Sequence, residues 1–243
     1  MAHDDFVLRM EHISKRFPGV QALDDVTFRV ARGEIHALVG ENGAGKSTLM
    51  KILTGAIPRD SGQIVLRGQE VEIDSPGRAQ QLGISMIHQE LALIPYLNVG
   101  QNIYLGREPG GPLPSLINWP KLYSQAREQL ARLNMDLDPL TPVIDLPIAH
   151  QQMVEVAKAL SFNADIIVMD EPTSALTERE TETLFAVMRT LKAQGVTIIF
   201  ISHRLEEVFE IADRVTVLRD GRLIGVAPID EVSMDEVVRM MVG

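Results

Sequence analysis

Four short apolar segments, all rich in isoleucine and valine, divide the chain. They occupy residues 35–39, 84–87, 166–169 and 196–201. Runs of this composition are typical of strands buried on both faces of a parallel sheet. Helical patterns lie between them, and strands that alternate with helices indicate an α/β fold.

The clearest helical pattern covers residues 177–194. Its apolar side chains recur at i, i+3, i+4 and i+7, as Leu184, Val187, Met188 and Leu191. Thr177 and Glu180 have the spacing of a capping box, and Gly195 is a typical stop signal. We therefore predict a helix packed against the sheet.

Three other regions depart from this alternation. The chain up to Arg32 predicts antiparallel strands, with 26–30 alternating and 64–66 as a candidate partner. Residues 89–160 are helical and loop-rich, and predict a helical subdomain inserted into the core. Its Pro/Gly stretch ends at Pro120, which suits the first position of a helix that places four residues on one face: Leu122, Ala126, Leu130 and Leu133. Residues 215–226 predict a hairpin around a DG turn.

Composition and charge exclude several classes of protein. The 243 residues are 45% hydrophobic and 23% charged, as in an ordinary globular domain. No apolar run approaches the ~20 residues of a membrane-spanning helix, and the start MAHDDFVLRM does not resemble a secretory signal. A net charge of −10 disfavours nucleic acid as a partner, and the lack of cysteine excludes disulfides and zinc–thiolate sites. Cytosol is the default compartment.

Polar residues directly follow each of the four predicted strands. They are the run GENGAGKS, His88-Gln89, Asp170-Glu171 and Ser202-His203. Ligands of open α/β sheets bind beyond the carboxyl ends of the strands, so we expect these groups to share one rim.

The first of these runs, residues 40–47, matches the phosphate-binding pattern G-x-x-x-x-G-K-[ST] in full. It lies between a predicted strand and a helical stretch, as that motif requires. Its backbone amides would surround a polyphosphate, Lys46 would reach the β- and γ-phosphates, and Ser47 would hold Mg²⁺. The pattern predicts a nucleoside triphosphate site.

The other strand ends offer the remaining chemistry. Asp170 could hold Mg²⁺ through water, and Glu171 could act as general base on an attacking water. His203 could hydrogen-bond the γ-phosphate, and Gln89 offers an amide to Mg²⁺ or water. Each is an ordinary loop residue by itself, and only their combination with residues 40–47 indicates function.

These residues together resemble an ATP-binding-cassette ATPase domain. The motifs GENGAGKST, IHQE, IIVMDEP, TSALT and ISHR occur in family order. The resemblance implies a RecA-like P-loop core with a mainly parallel sheet, an N-terminal antiparallel β subdomain and an inserted helical subdomain. It implies one domain over residues 1–243, with 1–88 and 161–243 forming the β subdomain and core, and 89–160 the helical subdomain.

The resemblance also assigns roles to the site. Phe17 matches the aromatic position that stacks on adenine, although it could simply pack at a sheet edge. ATP would be bound by Phe17, Gly40, Glu41, Asn42, Gly43, Ala44, Gly45, Lys46, Ser47 and Thr48. Mg²⁺ would be held by Ser47, Gln89 and Asp170, and the catalytic residues would be Glu171, His203 and Gln89.

The closer resemblance is to the first cassette of bacterial tandem ATPases for monosaccharide import, of the ribose, galactose and xylose type. The phrases QQMVEVAKALSF, DEPTSALTERETETLF and MMVG carry it. It implies a second ATPase cassette, transmembrane permease subunits and, indirectly, a periplasmic sugar-binding protein as partners. The chain would work at the cytoplasmic face of the inner membrane, and its last residues stand where a linker to a second cassette would begin.

Two departures from the family pattern change the expected mechanism. The signature LSGGQ is replaced by Leu146-Pro147-Ile148-Ala149-His150, which we call the signature segment. Pro147 has neither a hydroxyl nor an amide proton, so this segment should be a poor clamp for a partner's γ-phosphate. Thr177 replaces the common D-loop aspartate. The resemblance therefore implies one competent ATP site, completed by a partner cassette, and one degenerate site.

Three alternatives stay open at this stage. The same tandem architecture could import another small solute, such as a nucleoside. A soluble cassette acting on ribosomes or DNA is disfavoured by the net charge and by the lack of coiled-coil heptads. A P-loop kinase would need a phosphoryl acceptor other than water, whereas Glu171 favours water.

Overall fold

The computed structural model describes residues 6–111 and 116–243. The first residues of the chain and the middle of the Pro/Gly stretch therefore lie outside the described residues. The strands are β1 (Phe6–Phe17), β2 (Val20–Ala31), β3 (Ile35–Val39), β4 (Ser61–Leu66), β5 (Gln69–Glu70), β6 (Ile84–Ile87), β7 (Ile166–Asp170), β8 (Thr197–Ile201), β9 (Arg214–Arg219) and β10 (Arg222–Pro228). The helices are α1 (Lys46–Leu53), α2 (Pro76–Gln81), α3 (Val99–Ile103), α4 (Trp119–Arg132), α5 (Ile148–Leu160), α6 (Glu178–Ala193), α7 (Leu205–Ile211) and α8 (Met234–Val242).

A six-stranded sheet forms the core, in the order β10-β9-β3-β8-β7-β6. The pairs β3–β9, β3–β8, β7–β8 and β6–β7 are parallel, and β10 runs antiparallel to β9. Every residue of β3 and β8 is buried, which explains why these strands are apolar except at His36 and Thr197. The predicted parallel α/β core is confirmed, and β3, β6, β7 and β8 end at the same edge.

The N-terminal sheet is antiparallel, as predicted, and it includes residues 64–66. The order is β2-β1-β4-β5, so residues 64–66 in β4 pair with β1, with Met10 opposite Ile64. Residues 26–30 in β2 pair with the other edge of β1. Residues 64–66 therefore belong to the N-terminal sheet, as predicted, and their partner strand in it is β1. β1 and β2 are neighbours in sequence and form a hairpin, which leaves the far edge of β1 for β4.

Helices α3, α4 and α5 lie between β6 and β7 in the chain, as the helical pattern predicted. The predicted face of α4 is buried: Leu122, Ala126, Leu130 and Leu133. α4 begins at Trp119, because the Asn118 carboxamide accepts a hydrogen bond from the Lys121 amide at 3.1 Å. Pro120 is therefore the second helical residue and not the first, a correction of one position.

The remaining sequence signals are confirmed within a residue or two. α6 follows Thr177, whose amide donates to the Glu180 carboxylate at 2.9 Å, and Gly195 follows it with φ 86°. The predicted hairpin is formed by β9 and β10, with Asp220 and Gly221 at φ 51° and 74°. Among the described residues, no helix is both long and apolar enough to cross a membrane.

Candidate functional site

The loop between β3 and α1 contains the phosphate-binding pattern, and two of its glycines are required by the packing. Gly40 and Gly45 have φ 152° and 102°. A Cβ atom at Gly40 would lie 2.2 Å from the carbonyl oxygen of Leu218, and one at Gly45 would lie 2.7 Å from that of Ala22. Only glycine allows this loop to pack so closely on its neighbours.

Lys46, the first residue of α1, reaches back across the loop. Its Nζ donates to the carbonyl oxygens of Gly40 at 2.6 Å and Glu41 at 3.0 Å. Burial lowers the pKa of Lys46, and the nearby charges of Glu171 and Asp170 oppose that shift. The ammonium group therefore lies beside the loop amides, where it can contact a phosphate.

Asp170 and Glu171 follow one another at the end of β7. Burial raises the pKa of Asp170 most, and the charge of Glu171 raises it further, while His88, Lys46 and Lys51 lower it. Glu171 has φ 47°, and its amide donates to the carbonyl oxygen of Ile201 at 2.9 Å. This positive φ turns the chain sharply as it leaves the sheet.

The ends of β6 and β8 bring two further polar side chains to Glu171. His203 Nδ1 lies 3.1 Å from Glu171 Oε1. The Gln89 carboxamide Nε2 lies 3.5 Å from Glu171 Oε2, at the limit of a hydrogen bond. The carboxylate is thus in contact with groups from both neighbouring strand ends, and its side chain keeps 21% of its exposure.

Two cavities, of about 680 and 300 Å³, open on this rim and share Asn42 and Glu171. The larger is lined by Gly40, Glu41, Asn42, Gln89, Glu171, His203 and Met241. The smaller is lined by Phe17, Val20 and Ala22, by residues 42–48, and by Asp170 and Glu171. Every predicted nucleotide-binding, metal-binding or catalytic residue therefore lines one of the two. This placement does not by itself test their roles.

Phe17 is positioned by the β1–β2 hairpin, at the end of β1. Its ring lines the smaller cavity with the phosphate loop and is 40% exposed. Lys15 Nζ lies 5.6 Å from the ring centroid. An aromatic face exposed beside a phosphate loop can stack on a base.

Ser47 and Asp170 line the same cavity, and their hydroxyl and carboxylate oxygens are the ligand types that Mg²⁺ prefers. Within the described residues, no group of three or more His, Cys, Asp or Glu side chains could hold a metal alone. Magnesium ions in nucleotide sites are commonly held by one or two side chains together with phosphate oxygens. Gln89, predicted as a third ligand, lines the larger cavity, where its carboxamide lies 3.5 Å from Glu171.

The signature segment is at the start of α5, away from this rim. Pro147 is the N-cap and makes no side-chain capping hydrogen bond, and Ile148 is 49% exposed. The segment lines neither of the two cavities described above.

Sequence reasoning missed three lining residues. Val20 and Ala22 lie in β2 beside Phe17, and Met241 lies near the end of α8. The proximity of Val20 to Phe17 in sequence was a usable signal. Met241 lies in the closing phrase MMVG, which carries the family resemblance but gives no signal of a place beside the phosphate loop.

Comparison with known proteins gives consistent matches. A family model described as "ABC transporter" matches residues 23–174. The chain is 50% identical over 240 residues to a putative ribose/galactose/methyl galactoside import ATP-binding protein of Geobacillus kaustophilus, covering 99% of this chain and 48% of that protein. It is 54% identical over 240 residues to the ribose import ATP-binding protein RbsA of Rhodopirellula baltica, covering 99% of this chain and 47% of that protein.

The chain thus spans about half the length of the curated relatives it matches. Its fold is similar to a crystal structure of a nucleotide-free ATP-binding cassette from an ABC transporter. That comparison gives a TM-score of 0.85 at 28% identity and covers 98% of this chain and 99% of the other.

Proposed function

The chain belongs to the ABC transporter family, and from that premise we propose that it binds and hydrolyses ATP to power the import of a small sugar. The observation that carries this proposal is the contact of Gln89 and His203 with Glu171 beside the phosphate loop. Three strand ends there surround the space where a γ-phosphate and its attacking water would lie.

In this proposal Glu171 is the general base. A carboxylate within hydrogen-bond reach of the attacking water can accept its proton while the water's oxygen bonds to phosphorus and ADP leaves. His203 holds one oxygen of Glu171 and would contact the γ-phosphate, and Gln89 orients the other oxygen. These contacts keep the carboxylate directed toward the cavity.

The loop and its neighbours would hold the nucleotide. Lys46 would exchange its carbonyl partners at Gly40 and Glu41 for phosphate oxygens, because a phosphate is the stronger partner for an ammonium group. Ser47 and Asp170 would hold Mg²⁺, which neutralises charge on the β- and γ-phosphates. The exposed ring of Phe17 would stack on adenine.

We further propose that a second cassette completes the site. The signature segment lies at the start of α5 and lines neither cavity of its own chain, which is compatible with the family resemblance, in which this segment contacts the nucleotide of a partner cassette. Pro147 cannot donate a backbone hydrogen bond and the β-branched Ile148 restricts close approach. The partner's nucleotide would therefore turn over slowly, and the one bound here would turn over quickly. Thr177, at the D-loop position, fits the tandem sugar-import group.

The import role is supported by the names of the relatives and by an apolar surface on the helical region. Ile94, Tyr96 and Ile144 are exposed, with Tyr96 at 84%, and the Ile144 amide donates to the Pro95 carbonyl oxygen at 2.9 Å. This surface follows Gln89 in the chain and would contact permease helices. Residues 89–160 would then move as a subdomain, at the cytoplasmic face of the inner membrane.

The test uses the protein assembled with its permease in proteoliposomes, with a sugar-binding protein on one side and ATP on the side of the cassettes. We expect ATP-dependent uptake of labelled ribose or galactose and stimulated hydrolysis. Uptake of a nucleoside but of no sugar would show that the imported solute is a nucleoside. Hydrolysis that no permease stimulates would favour a soluble cassette with another task.

A further inference from the structure

The larger cavity contains a side chain that no motif predicts. Of its seven lining residues, Met241 is the only one with an apolar side chain, and the others are glycine, carboxylate, amide or imidazole residues. We propose that Met241 is a positioning residue for ATP hydrolysis. Its thioether side chain closes one side of the space around Glu171 and His203 to bulk water. This inference rests on the proposed hydrolysis at that site.

Helix α8 holds Met241 firmly at this place. The helix begins with a capping box, in which the Ser233 amide donates to the Glu236 carboxylate at 2.8 Å. Val237 is fully buried, and Arg219 Nη1 of β9 donates to the Met240 carbonyl oxygen at 3.2 Å. The last turn of α8 is thereby tied to β9, so the position of Met241 is determined.

The same hairpin that anchors α8 also supports the phosphate loop. The Gly221 amide, in the β9–β10 turn, donates to the Ala44 carbonyl oxygen at 3.2 Å. Leu218 of β9 lies against Gly40, where a Cβ would be 2.2 Å from its carbonyl oxygen. The phosphate loop, the hairpin and α8 therefore pack as one unit, and Met241 has a defined position relative to the residues that would hold the triphosphate.

An apolar side chain at this place has a clear physical effect. It removes bulk water from the neighbourhood of a carboxylate and an imidazole, which strengthens the hydrogen bond of Glu171 to the attacking water and that of His203 to the γ-phosphate. It also leaves fewer competing water positions beside Glu171. A polar side chain of similar length would bring water back into the cavity without changing the shape of the helix.

The alternative is that Met241 only contributes to the core. Met240 and Met241 are both partly buried and pack against the main hydrophobic cluster. In that case a substitution would lower stability and leave turnover per folded molecule unchanged. The two roles can be separated because they predict changes in different measured quantities.

The experiment compares Met241→Gln and Met241→Leu with a matched control, Val238→Gln, on the exposed side of the same helix. In the full assembly we expect Met241→Gln to lower kcat roughly 10-fold, with the KM for ATP changing much less. Met241→Leu should restore most of the turnover, and Val238→Gln should have none of these effects. Thermal unfolding of each variant measures the structural contribution.

A second measurement does not depend on hydrolysis. A non-hydrolysable ATP analogue should slow the peroxide oxidation of Met241 to its sulfoxide, measured by mass spectrometry. It should leave the oxidation of Met234, at the far end of α8, unchanged. If the analogue slows the oxidation of Met241 but the assembly does not hydrolyse ATP, the proposed function is wrong. The placement of Met241 beside the nucleotide would still be supported.

Two results would overturn the inference itself. One is normal kcat for Met241→Gln in an assembly that hydrolyses ATP. The other is equal loss of turnover in Met241→Gln and Met241→Leu with a matching loss of thermal stability, which would assign the side chain to core packing alone.

Discussion

The rim of the α/β core, where four strands end, and the signature segment differ in the side-chain contacts that they make within this chain. At the rim, β3, β6, β7 and β8 end at one edge, and the side chains of His203 and Gln89 lie 3.1 and 3.5 Å from the Glu171 carboxylate. The signature segment, at the start of α5, contacts none of these groups. The difference teaches that the groups around Glu171 are assembled inside this chain, whereas in the proposed function the signature segment would act on the nucleotide of a second cassette.

The two regions also differ in the burial of charged groups and in backbone conformation. The rim buries charged groups and has positive φ angles at Glu171, Gly40 and Gly45. Such features persist where surrounding packing enforces them, and they are common at functional sites. The signature segment begins an ordinary helix with an exposed proline cap.

The largest effect should come from the base at the rim. Glu171→Gln keeps the shape of the side chain and its contacts but removes the proton acceptor, so hydrolysis should fall by ~10²-fold or more. ATP binding should persist. Phosphate release and nucleotide affinity measured together test this, with Glu206→Gln, an exposed carboxylate of α7, as control. Ordinary turnover in the Glu171 variant would remove its assignment.

The next effect concerns nucleotide binding. Lys46→Ala removes the ammonium group from the phosphate loop, and a lost charge-assisted hydrogen bond is worth ~1.5–3 kcal/mol. We expect ATP affinity to fall by roughly 10- to 100-fold on that basis. Titration calorimetry measures it, and Lys121→Ala, on the exposed side of α4, should bind normally. Equal affinities in the two variants would exclude Lys46 from the phosphate site.

A comparable or smaller effect should come from Phe17→Ala. Base–aromatic stacking is worth ~1–3 kcal/mol, so ATP affinity should fall by that amount while the fold is kept. Phe17→Trp should bind as well as the natural protein. The control is Tyr96→Ala, an exposed aromatic of the helical region. If the alanine variant binds ATP normally, the ring is only a packing residue of the sheet edge.

Repair of the signature segment tests the other region directly. Replacing Pro147, Ile148, Ala149 and His150 by Ser, Gly, Gly and Gln supplies a hydroxyl and accessible amides for a partner's γ-phosphate. The natural chain alone should hydrolyse ATP very slowly. The repaired chain should show more ATP-dependent dimer and faster turnover that rises with protein concentration. If turnover of the repaired chain does not increase at any protein concentration, the slow hydrolysis results from weak dimer contacts outside the signature segment. Fast hydrolysis by the natural chain alone would contradict the proposed dependence on a second cassette.

The smallest effect is on stability. Burial and the adjacent Glu171 raise the pKa of Asp170 in the folded protein. A raised carboxyl pKa gives stability that is present at low pH and is lost as pH rises through the folded value, so ionised Asp170 destabilises the protein at neutral pH. Asp170→Asn should raise the unfolding midpoint by about 2 °C at pH 7.5. The gain should shrink as pH falls toward the acidic range. A lower midpoint for Asp170→Asn would show that the attraction between Lys46 and ionised Asp170 outweighs the cost of burying that carboxylate.

Much of the fold could be predicted from the sequence, because the decisive signals are local. Apolar runs in β3, β6, β7 and β8 have no alternation, since those strands are buried on both faces. The capping box before α6 and the turn after β9 depend only on neighbouring residues. The pairing of β4 with β1 was not predictable in this way, because strand order is decided between segments distant in sequence.

The residues of the site likewise divide into those predicted from local sequence and those positioned only by tertiary packing. The sequence by itself determined the phosphate loop and the acidic and polar strand ends, since a motif and a strand end are local features, and parallel pairing then places those ends at one edge. Only the tertiary structure decided that Gln89 contacts Glu171 while Ser47 and Asp170 line another cavity, and that Met241 reaches the rim from α8. Those positions depend on how a hairpin and a helix fold back on the sheet, and the free energy that selects such packing comes from contacts between residues far apart in the chain.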